Sequence, residues 1–497
     1  MAESDSNYHD NVIVDGVLRY PPSGIKVLIV GGGIAGLFTA IECWRKGHEV
    51  QVLERGSRIS TAGDTLGLGP SAWATLQNYP SMLAEYDQEA MDVQQIYYEL
   101  NGHQTTGKIE FEWNKPGVAQ HAAYPLRIKG AWARNDLAKL LFGQVQRLGI
   151  PITWKVNIVK YEDDPAAESP RVIAADGKTY SGDVILAADG IGTKSHQLTL
   201  GHPVEVEDTG YTCYRVMFPA ANLSAAPHLL EALNSIKRPE LRVYSGPDCH
   251  CISILSKKII SLAVTVPEKD VDRAEVEESW SSSASADDVL AAVAGGVDAW
   301  DPLLVEGIRN TPKQSIIRWK LCMRDPQPKW LSDNGRILQV GDSAHSFLPT
   351  SANGACTAIE DTLSVAECLR LGGGKEGARI ALKVHELLRY QRTTLIQRIG
   401  FENRLHLHHK TENLDEGGEQ IVFTTGRWHW GHNSEKYATE NFEKARAHLE
   451  TGAPFVNTNL PPGHKWEQWT LAGEIAKEQA GDLLPGDLRQ NGDWGVL

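Results

Sequence analysis

Four glycines stand between a short apolar run and a helical pattern, in Gly31-Gly32-Gly33-Ile34-Ala35-Gly36. The apolar run over 25–30 predicts a buried strand, and residues 34–46 predict a helix that ends at Gly47. The alternation over 49–54 predicts a second strand, which completes a βαβ unit. We therefore expect an α/β fold with a Rossmann-like, doubly wound parallel sheet.

The spacing of this motif, G-x-G-x-x-G, assigns a physical purpose to three of its glycines. Gly31 permits a tight turn, Gly33 lets the backbone approach a pyrophosphate, and Gly36 lets helix and strand pack closely. The helix start attracts the phosphate charge. Glu54 ends the second strand, where a carboxylate can accept hydrogen bonds from an adenosine ribose. The motif predicts dinucleotide binding, and a purely structural glycine turn is the alternative.

Two later turns also follow predicted strands. Gly341-Asp342-Ser343-Ala344-His345 follows the strand over 335–341 and leads into a helix over about 356–371, preceded by Asn353-Gly354-Ala355. A carboxylate there can hold hydroxyl groups, and the helix start offers N–H donors to the anionic edge of a reduced flavin. Asp189-Gly190 follows the short apolar strand over 184–188. Each turn alone could be an ordinary strand-to-helix turn, but together and in this order they favour FAD.

The sequence pattern changes between about 205 and 320, where strands predominate. Four β-rich stretches there indicate a separate sheet, at 211–218, 241–244, 251–255 and 259–266. The strand over 335–341 then restores the parallel pattern, so the first domain closes late in the sequence. We expect an FAD-binding domain over 25–205, a β-rich substrate domain over 206–330, a closing part of the FAD-binding domain over 331–400, and a helix-leaning C-terminal extension over 401–497.

With these motifs in this order, residues 25–400 resemble the class A flavin-dependent monooxygenases of the p-hydroxybenzoate and salicylate hydroxylase type. The fungal natural-product branch is the most similar, on the segments GDSAHSFLPTSANGACTAIEDT and WHWGHNSEKYATENF. The resemblance implies a GR2-type FAD-binding domain with an inserted substrate sheet. It also implies that Gly31, Gly33 and Gly36 face the FAD pyrophosphate, that Glu54 holds the adenosine ribose, and that Arg134 in WARNDL touches the cofactor.

The resemblance extends to the flavin ring. Asp342 would hold FAD hydroxyl groups, and Gly354 and Ala355 would lie against the isoalloxazine ring. Gly67 belongs to a segment, 63–67, that resembles the loop along which the mobile flavin moves. Asp189 begins the counterpart of the family's DG motif, which is implicated in the use of both FAD and NAD(P)H.

One candidate catalytic residue lies in the predicted substrate sheet. Tyr214-Arg215-Val216 resembles the family's Y-R segment, whose arginine can face substrate. A guanidinium in an apolar cavity lowers the pKa of a phenol or anchors a carboxylate. The alternative is an Arg215 paired to an acid on the sheet. The tyrosine that the family often has in the next strands would fall near Ile254, and only Tyr244 offers a phenol nearby.

The resemblance implies an FAD-dependent, NAD(P)H-consuming monooxygenase. NAD(P)H would reduce the flavin, O2 would form a C4a-hydroperoxide, and oxygen would pass to an electron-rich aromatic or olefinic carbon by hydroxylation or epoxidation. Secondary-metabolite biosynthesis is the expected setting. The alternatives are a flavin-dependent oxidase, reductase or halogenase on the same scaffold, and a non-catalytic FAD-binding protein. Trp428-His429-Trp430 resembles a halogenase motif, but its completing Ile-Pro is missing.

Charge and cysteine usage bound the partners. Lys and Arg number 49 against 63 Asp and Glu, and this net charge of -14 disfavours nucleic acid and anionic membranes. The start has no signal-peptide pattern, and the longest apolar run, 25–41, is too short to span a bilayer. Seven scattered cysteines indicate a reducing compartment. We expect a cytoplasmic protein that acts on a small molecule, while its oligomeric state stays open.

Two short segments contain metal-ligand residue types. These are Cys249-His250-Cys251 and the cluster of His406, His408 and His409. Neither has a second C-x-x-C or H-x3-5-H partner at zinc spacing, so we expect no metal site.

Overall fold

The computed structural model describes residues 12–60, 63, 65–115, 127–268, 283–293, 296–313, 315–408, 424–483 and 486–495. The strands are β1 Val12–Val14, β2 Val17–Arg19, β3 Lys26–Val30, β4 Glu49–Glu54, β5 Thr65–Gly67, β6 Met91–Asp92, β7 Gln94–Glu99, β8 Gly130–Ala133, β9 Ile152–Trp154, β10 Ile158–Glu162, β11 Arg171–Ala174, β12 Thr179–Ser181, β13 Val184–Ala187, β14 Glu207–Pro219, β15 Glu240–Gly246, β16 Cys249–Leu255, β17 Ile259–Pro267, β18 Ser283–Ala284, β19 Ile316–Met323 and β20 Ile337–Gln339. The helices are α1 Ile34–Arg45, α2 Pro80–Glu89, α3 Arg134–Arg147, α4 His196–Thr199, α5 Pro227–Ser235, α6 Ala286–Ala292, α7 Pro302–Arg309, α8 Gly354–Leu371, α9 Ala378–His408, α10 Arg427–Trp430, α11 Ser434–Thr451 and α12 Leu471–Ala480.

A five-stranded parallel sheet, in the order β20-β13-β3-β4-β9, carries the glycine motif. Val27 and Ile29 pack into the core that α1 and α8 share, whereas Leu28 and Val30 pack on the small sheet β10-β11-β12. Successive side chains of a strand point to opposite faces, so this sheet is buried on both sides. The predicted βαβ unit and the α/β fold class are confirmed.

The second sheet has seven strands, in the order β18-β19-β14-β17-β16-β15-β7. Its pairs are antiparallel except for β15 and β7, which run parallel. Six of its strands lie within 206–330, the segment predicted to form the substrate domain, and the domain bounds stay a prediction. Strand β7, at 94–99, comes from the segment expected to belong to the FAD-binding domain, because strand pairing joins residues far apart in sequence.

The two faces of this sheet have different neighbours. Tyr214, Val216 and Phe218 of β14 pack into the core formed with α5 and α7. Cys213, which directly precedes Tyr214 in the strand, packs on the opposite side with Leu405 of α9. The side of β14 that carries Cys213 therefore faces the rest of the molecule.

Helix α3 begins at Arg134, directly after Gly130–Ala133, which form β8 between β5 and β6. Helix α9 runs across the expected boundary at 400, and α10, α11 and α12 then make the C-terminal part helix-rich. Among the described residues, no helix combines the length and the apolar character that crossing a membrane requires.

Candidate functional site

The glycine turn at the end of β3 is shaped by contacts that exclude a side chain. Gly31 has φ +109°, and a Cβ there would lie 2.3 Å from the carbonyl oxygen of Ala188. A Cβ at Gly36 would lie 1.9 Å from the carbonyl oxygen of Gly31. A Cβ at Gly33 would meet nothing within 4 Å. The turn is therefore closed toward the sheet and open at Gly33, where α1 begins, as a pyrophosphate cradle requires.

Glu54 ends β4 beside this turn. Its two carboxylate oxygens accept the amide hydrogens of Gly32 and Gly56, each at 2.6 Å. Because each carboxylate oxygen has a second lone pair, this contact fixes the Glu54 side chain without exhausting its capacity as an acceptor. The ribose role of Glu54 stays a prediction.

The turn over 341–345 presents Asp342 to solvent while its neighbours are buried. Loss of hydration raises the pKa of the Asp342 carboxyl, and the charges of His345 and Arg134 oppose that shift. Arg134 starts α3, and its side chain covers Gly63, where a Cβ would lie 2.3 Å from the Arg134 Cδ. Arg134 is thus near enough to Asp342 for their charges to interact and also covers Gly63, and we call the surface that these three residues border the recess.

The start of α8 closes the other side of this recess. Gly67 is exposed on β5, and a Cβ there would lie 3.7 Å from the carbonyl oxygen of Ala352. Cys356, in the first turn of α8, accepts the amide hydrogen of Gly69 at 3.3 Å. The predicted ring-facing residues, Gly354 and Ala355, therefore lie next to the predicted flavin loop. Asp64 of that loop is outside the described residues.

Asp189 lies at the end of β13, where it links two other segments. Its carboxylate accepts hydrogen bonds from the Tyr161 hydroxyl at 2.7 Å and the Ser343 hydroxyl at 3.1 Å. Ser343 also accepts the amide hydrogen of Gly190 at 2.9 Å. Burial raises the pKa of Asp189, against the effect of these hydrogen bonds. Asp189 thus holds the 341–343 turn in place, and its direct contact with FAD stays a prediction.

Arg215 lies on the Cys213 side of β14. It pairs with Ala263 of β17 and Ile317 of β19, and its guanidinium carbon lies 4.3 Å from the Trp319 ring centroid. We call this side, which carries Cys213, Arg215, Met217, Ser261, Ala263 and Trp319, the Arg215 face. The Ser261 hydroxyl lies 3.3 Å from that of Thr65 on β5, so the Arg215 face adjoins the flavin loop.

Tyr244 is not part of this face. Its register partner is Cys251, which pairs with Val264 and so belongs to the side packed on α5 and α7. Tyr244 stacks on Tyr98 at 4.9 Å and donates a hydrogen bond to Asp301 at 3.1 Å. The sheet separates its phenol from Arg215, so the two residues cannot act together on one substrate.

The histidine and cysteine segments form structural contacts. His250 of β16 and His408 of α9 are joined by a 2.8 Å hydrogen bond, and burial lowers the pKa of His250 to about 3. His409 is outside the described residues. Within the described part of the chain, no group of three or more His, Cys, Asp or Glu side chains is arranged to hold a metal ion.

A buried cluster of ionisable side chains lies next to the 341–345 turn and was not predicted from the sequence. His345, Glu360 and Asp361 meet Arg389 and Arg392 of α9 in contacts of 2.6–2.9 Å. The spacing of Arg389 and Arg392, three residues apart on a helix rich in apolar positions, was the one available signal. Nothing in the sequence indicated that their partners lie on α8.

The recess fits FAD. An open backbone cradle lies at Gly33, an exposed carboxylate at Asp342, and the N-terminal ends of α1 and α8 supply N–H donors for a pyrophosphate and a ring edge. The carboxylate of Asp342 suits the hydroxyl groups of FAD, the open turn at Gly33 suits its pyrophosphate, and the N-terminal end of α8 suits the edge of its ring.

Comparisons with known proteins identify the family. The family model for the FAD dependent oxidoreductases matches residues 26–204. The chain is 34% identical over 484 residues to the FAD-dependent monooxygenase fsr3 of Gibberella fujikuroi, covering 96% of this chain and 91% of that protein. The crystal structure of CtdE with FAD and a substrate superposes with a TM-score of 0.75 at 25% identity, covering 86% of this chain and 99% of that one.

A salicylate hydroxylase substrate complex shares the fold, with a TM-score of 0.64 at 20% identity over 87% of this chain and 100% of that one. The resemblance drawn from the sequence motifs is thus confirmed. The chain belongs to the FAD-dependent monooxygenases, enzymes that use FAD as cofactor and, typically for this class, NAD(P)H as co-substrate.

Proposed function

We propose that this monooxygenase hydroxylates or epoxidises an electron-rich aromatic or olefinic small molecule in secondary-metabolite biosynthesis. The substrate would lie between the Arg215 face and the start of α8. The observation that carries this proposal is the contact between Thr65 and Ser261, which joins the flavin loop to the sheet face that presents a cation.

FAD bound in the recess would supply activated oxygen after reduction by NAD(P)H. Gly31, Gly33, Gly36 and Glu54 would hold its adenosine and pyrophosphate end, assisted by the positive end of α1. The N-terminal end of α8, at 354–356, would stabilise negative charge on the ring edge.

Arg215 would bind and orient the substrate. Its guanidinium is held against the Trp319 ring and is flanked along the sheet by Met217 and Ala263, both half-buried. A cation beside an apolar surface lowers the pKa of a bound phenol, and the resulting phenolate is a more electron-rich ring. The apolar neighbours would exclude water from the reacting atoms.

We also propose a cytoplasmic location. Cys43, Cys251, Cys356 and Cys368 are buried thiols without a disulfide, which suits a reducing compartment.

A spectral titration of the purified, FAD-loaded enzyme tests the function. Phenols, indoles and conjugated polyenes are added in turn, and NAD(P)H-dependent bleaching of the flavin absorbance is followed. We expect one class to accelerate flavin reduction and to yield product labelled from 18O2. Accelerated reduction with no label in any product would instead indicate an oxidase or reductase, and no acceleration by any compound would contradict the proposed substrate classes.

A further inference from the structure

Four charged side chains and His345 form a buried ionic network between the 341–345 turn, α8 and α9. The His345 Nε2 lies 2.6 Å from Asp361 Oδ2, and Arg389 bridges Asp361 at 2.9 Å and Glu360 at 2.6 Å. Arg392 then contacts Glu360 at 2.8 Å. All five residues are at most 3% exposed. Buried ion pairs are costly to desolvate, so this network is by itself weak evidence of stabilisation, and its role is argued from what it contacts.

One end of this ionic network holds the turn that presents Asp342. Asp361 accepts the amide hydrogen of Gly341 at 3.1 Å as well as the His345 ring hydrogen. The His345 amide donates to the Gly341 carbonyl at 3.0 Å. Asp342 therefore lies, along the chain, between two residues that Asp361 fixes. The buried His345 Nδ1 has no hydrogen-bond partner among the described residues.

The other end of the network holds the C-terminal extension. The Arg392 guanidinium donates to the carbonyl oxygens of Trp428 at 2.9 Å, His429 at 2.7 Å and Asn459 at 3.0 Å. These carbonyls lie in the part of the chain beyond α9. A single arginine thus joins that part of the chain to the acid on α8 that neighbours Asp361.

We propose that this ionic network positions the FAD-binding turn, with His345 as the positioning residue at the turn and Arg392 as the one at the C-terminal extension. The proposal makes the C-terminal extension a determinant of FAD affinity, although it lies outside the FAD-binding domain. It rests on the proposed role of Asp342 in holding FAD. The charge of His345 also opposes the raised pKa of Asp342, which favours the ionised acceptor that hydroxyl groups require.

The chain offers a matched control for each positioning residue. His48 is also a fully buried histidine of this domain, bonded to Ser23 and to the Ala366 carbonyl. Arg336 is also a buried arginine that combines one acid, Asp163, with backbone carbonyls. Arg336 immediately precedes β20, at the amino end of a parallel strand, whereas the glycine turn lies at the carboxyl end of β3.

The test titrates FAD into deflavinated full-length variants, follows the quenching of FAD fluorescence, and compares the Kd with the melting temperature of the apoprotein. We expect His345→Leu and Arg392→Lys to raise the FAD Kd at least tenfold. His345→Gln, which keeps a donor for Asp361, should stay within threefold of the native enzyme. The controls His48→Leu and Arg336→Lys should lower the melting temperature as much as the network variants do, but should change the FAD Kd by no more than threefold.

Equal changes in Kd for the network variants and their controls would overturn the proposal, since the network would then be merely structural. Asp342→Asn separates this outcome from failure of the site itself. If Asp342→Asn weakens FAD binding and the network variants do not, only the positioning proposal fails. If Asp342→Asn leaves the Kd unchanged, the assignment of Asp342 to FAD fails as well.

Discussion

The guanidinium of Arg215 lies over the indole ring of Trp319, 4.3 Å from its centroid, on neighbouring strands of the second sheet. A cation over an aromatic face is attracted by the ring and loses orientational freedom. Strand alternation places Arg215 on this face, and the contact with Trp319 restricts the orientation of its guanidinium there.

Replacing Trp319 with Leu should impair substrate use without affecting the cofactor. A cation–π contact contributes about 0.5–2 kcal/mol, so kcat/KM should fall roughly 2- to 30-fold. Trp319→Phe should retain most of the activity because a ring remains under the guanidinium. Steady-state kinetics with the most stimulating substrate give the result, and a similar loss in both variants would show that the ring contact is irrelevant.

The substitutions Gly36→Ala and Gly33→Ala should differ in their effects on stability and on FAD binding. Gly36→Ala places a Cβ 1.9 Å from a backbone carbonyl oxygen, so the apoprotein should lose about 3 kcal/mol, at the upper end of overpacking costs. Gly33→Ala meets no protein atom within 4 Å, so apoprotein stability should change by less than about 1 kcal/mol while FAD binding weakens. Urea unfolding and FAD titration measure the two effects. Unaltered FAD affinity in Gly33→Ala would place the pyrophosphate elsewhere.

Cys356 joins the start of α8 to the residues that directly follow the predicted flavin loop, through the Gly69 amide. Burial raises the pKa of its thiol to about 12, so it should stay protonated and unreactive toward iodoacetamide at pH 8 until the enzyme unfolds. Cys356→Ala should alter the rate of flavin reduction in stopped-flow experiments. Cys368→Ala, another buried thiol of α8, is the control and should leave that rate unchanged. Rapid alkylation of Cys356 in the folded enzyme would contradict the described contact.

The enzyme should lose stability in mild acid. Burial lowers the pKa of His48 to about 4 and those of His250, His385 and His429 to about 3. An unfolded histidine has a pKa of about 6.5, so the unfolded state binds more protons below that pH. The contribution of these neutral histidines to the free energy of unfolding is complete above pH 6.5 and is lost as the pH falls toward 3–4. Each unit of pKa shift corresponds to about 1.4 kcal/mol, which makes the combined effect large.

Thermal melts at pH 7.5 and pH 5 measure this loss. We expect a clear drop in melting temperature at pH 5 and a smaller pH dependence in His48→Gln, which removes one of the titrating groups. A melting temperature that does not change between these pH values would mean that the histidines are not held neutral in the folded enzyme.

Local patterns predicted the glycine turn, its strands and the helix after it, because each depends on residues close in sequence. They did not predict that β7 joins the second sheet, since that pairing with β15 depends on tertiary contacts. Side chains alternate between the two faces of a strand, so the sequence separates the residues of each strand into two sets. Only the register through β16 and β17 shows that Arg215 and Tyr244 lie on opposite faces of the sheet. The partners of Arg389 and Arg392 were hidden for the same reason.

The most direct test of the proposed substrate site compares Arg215→Met with Arg318→Met. Arg318 lies on β19 opposite Tyr214, and so on the other face of the same sheet. With the phenol that most accelerates flavin reduction, Arg215→Met should lower kcat/KM at least tenfold, while Arg318→Met should stay within twofold of the native enzyme and both should bind FAD normally. Full activity in Arg215→Met, or equal losses in the two variants, would contradict a substrate site on the Arg215 face.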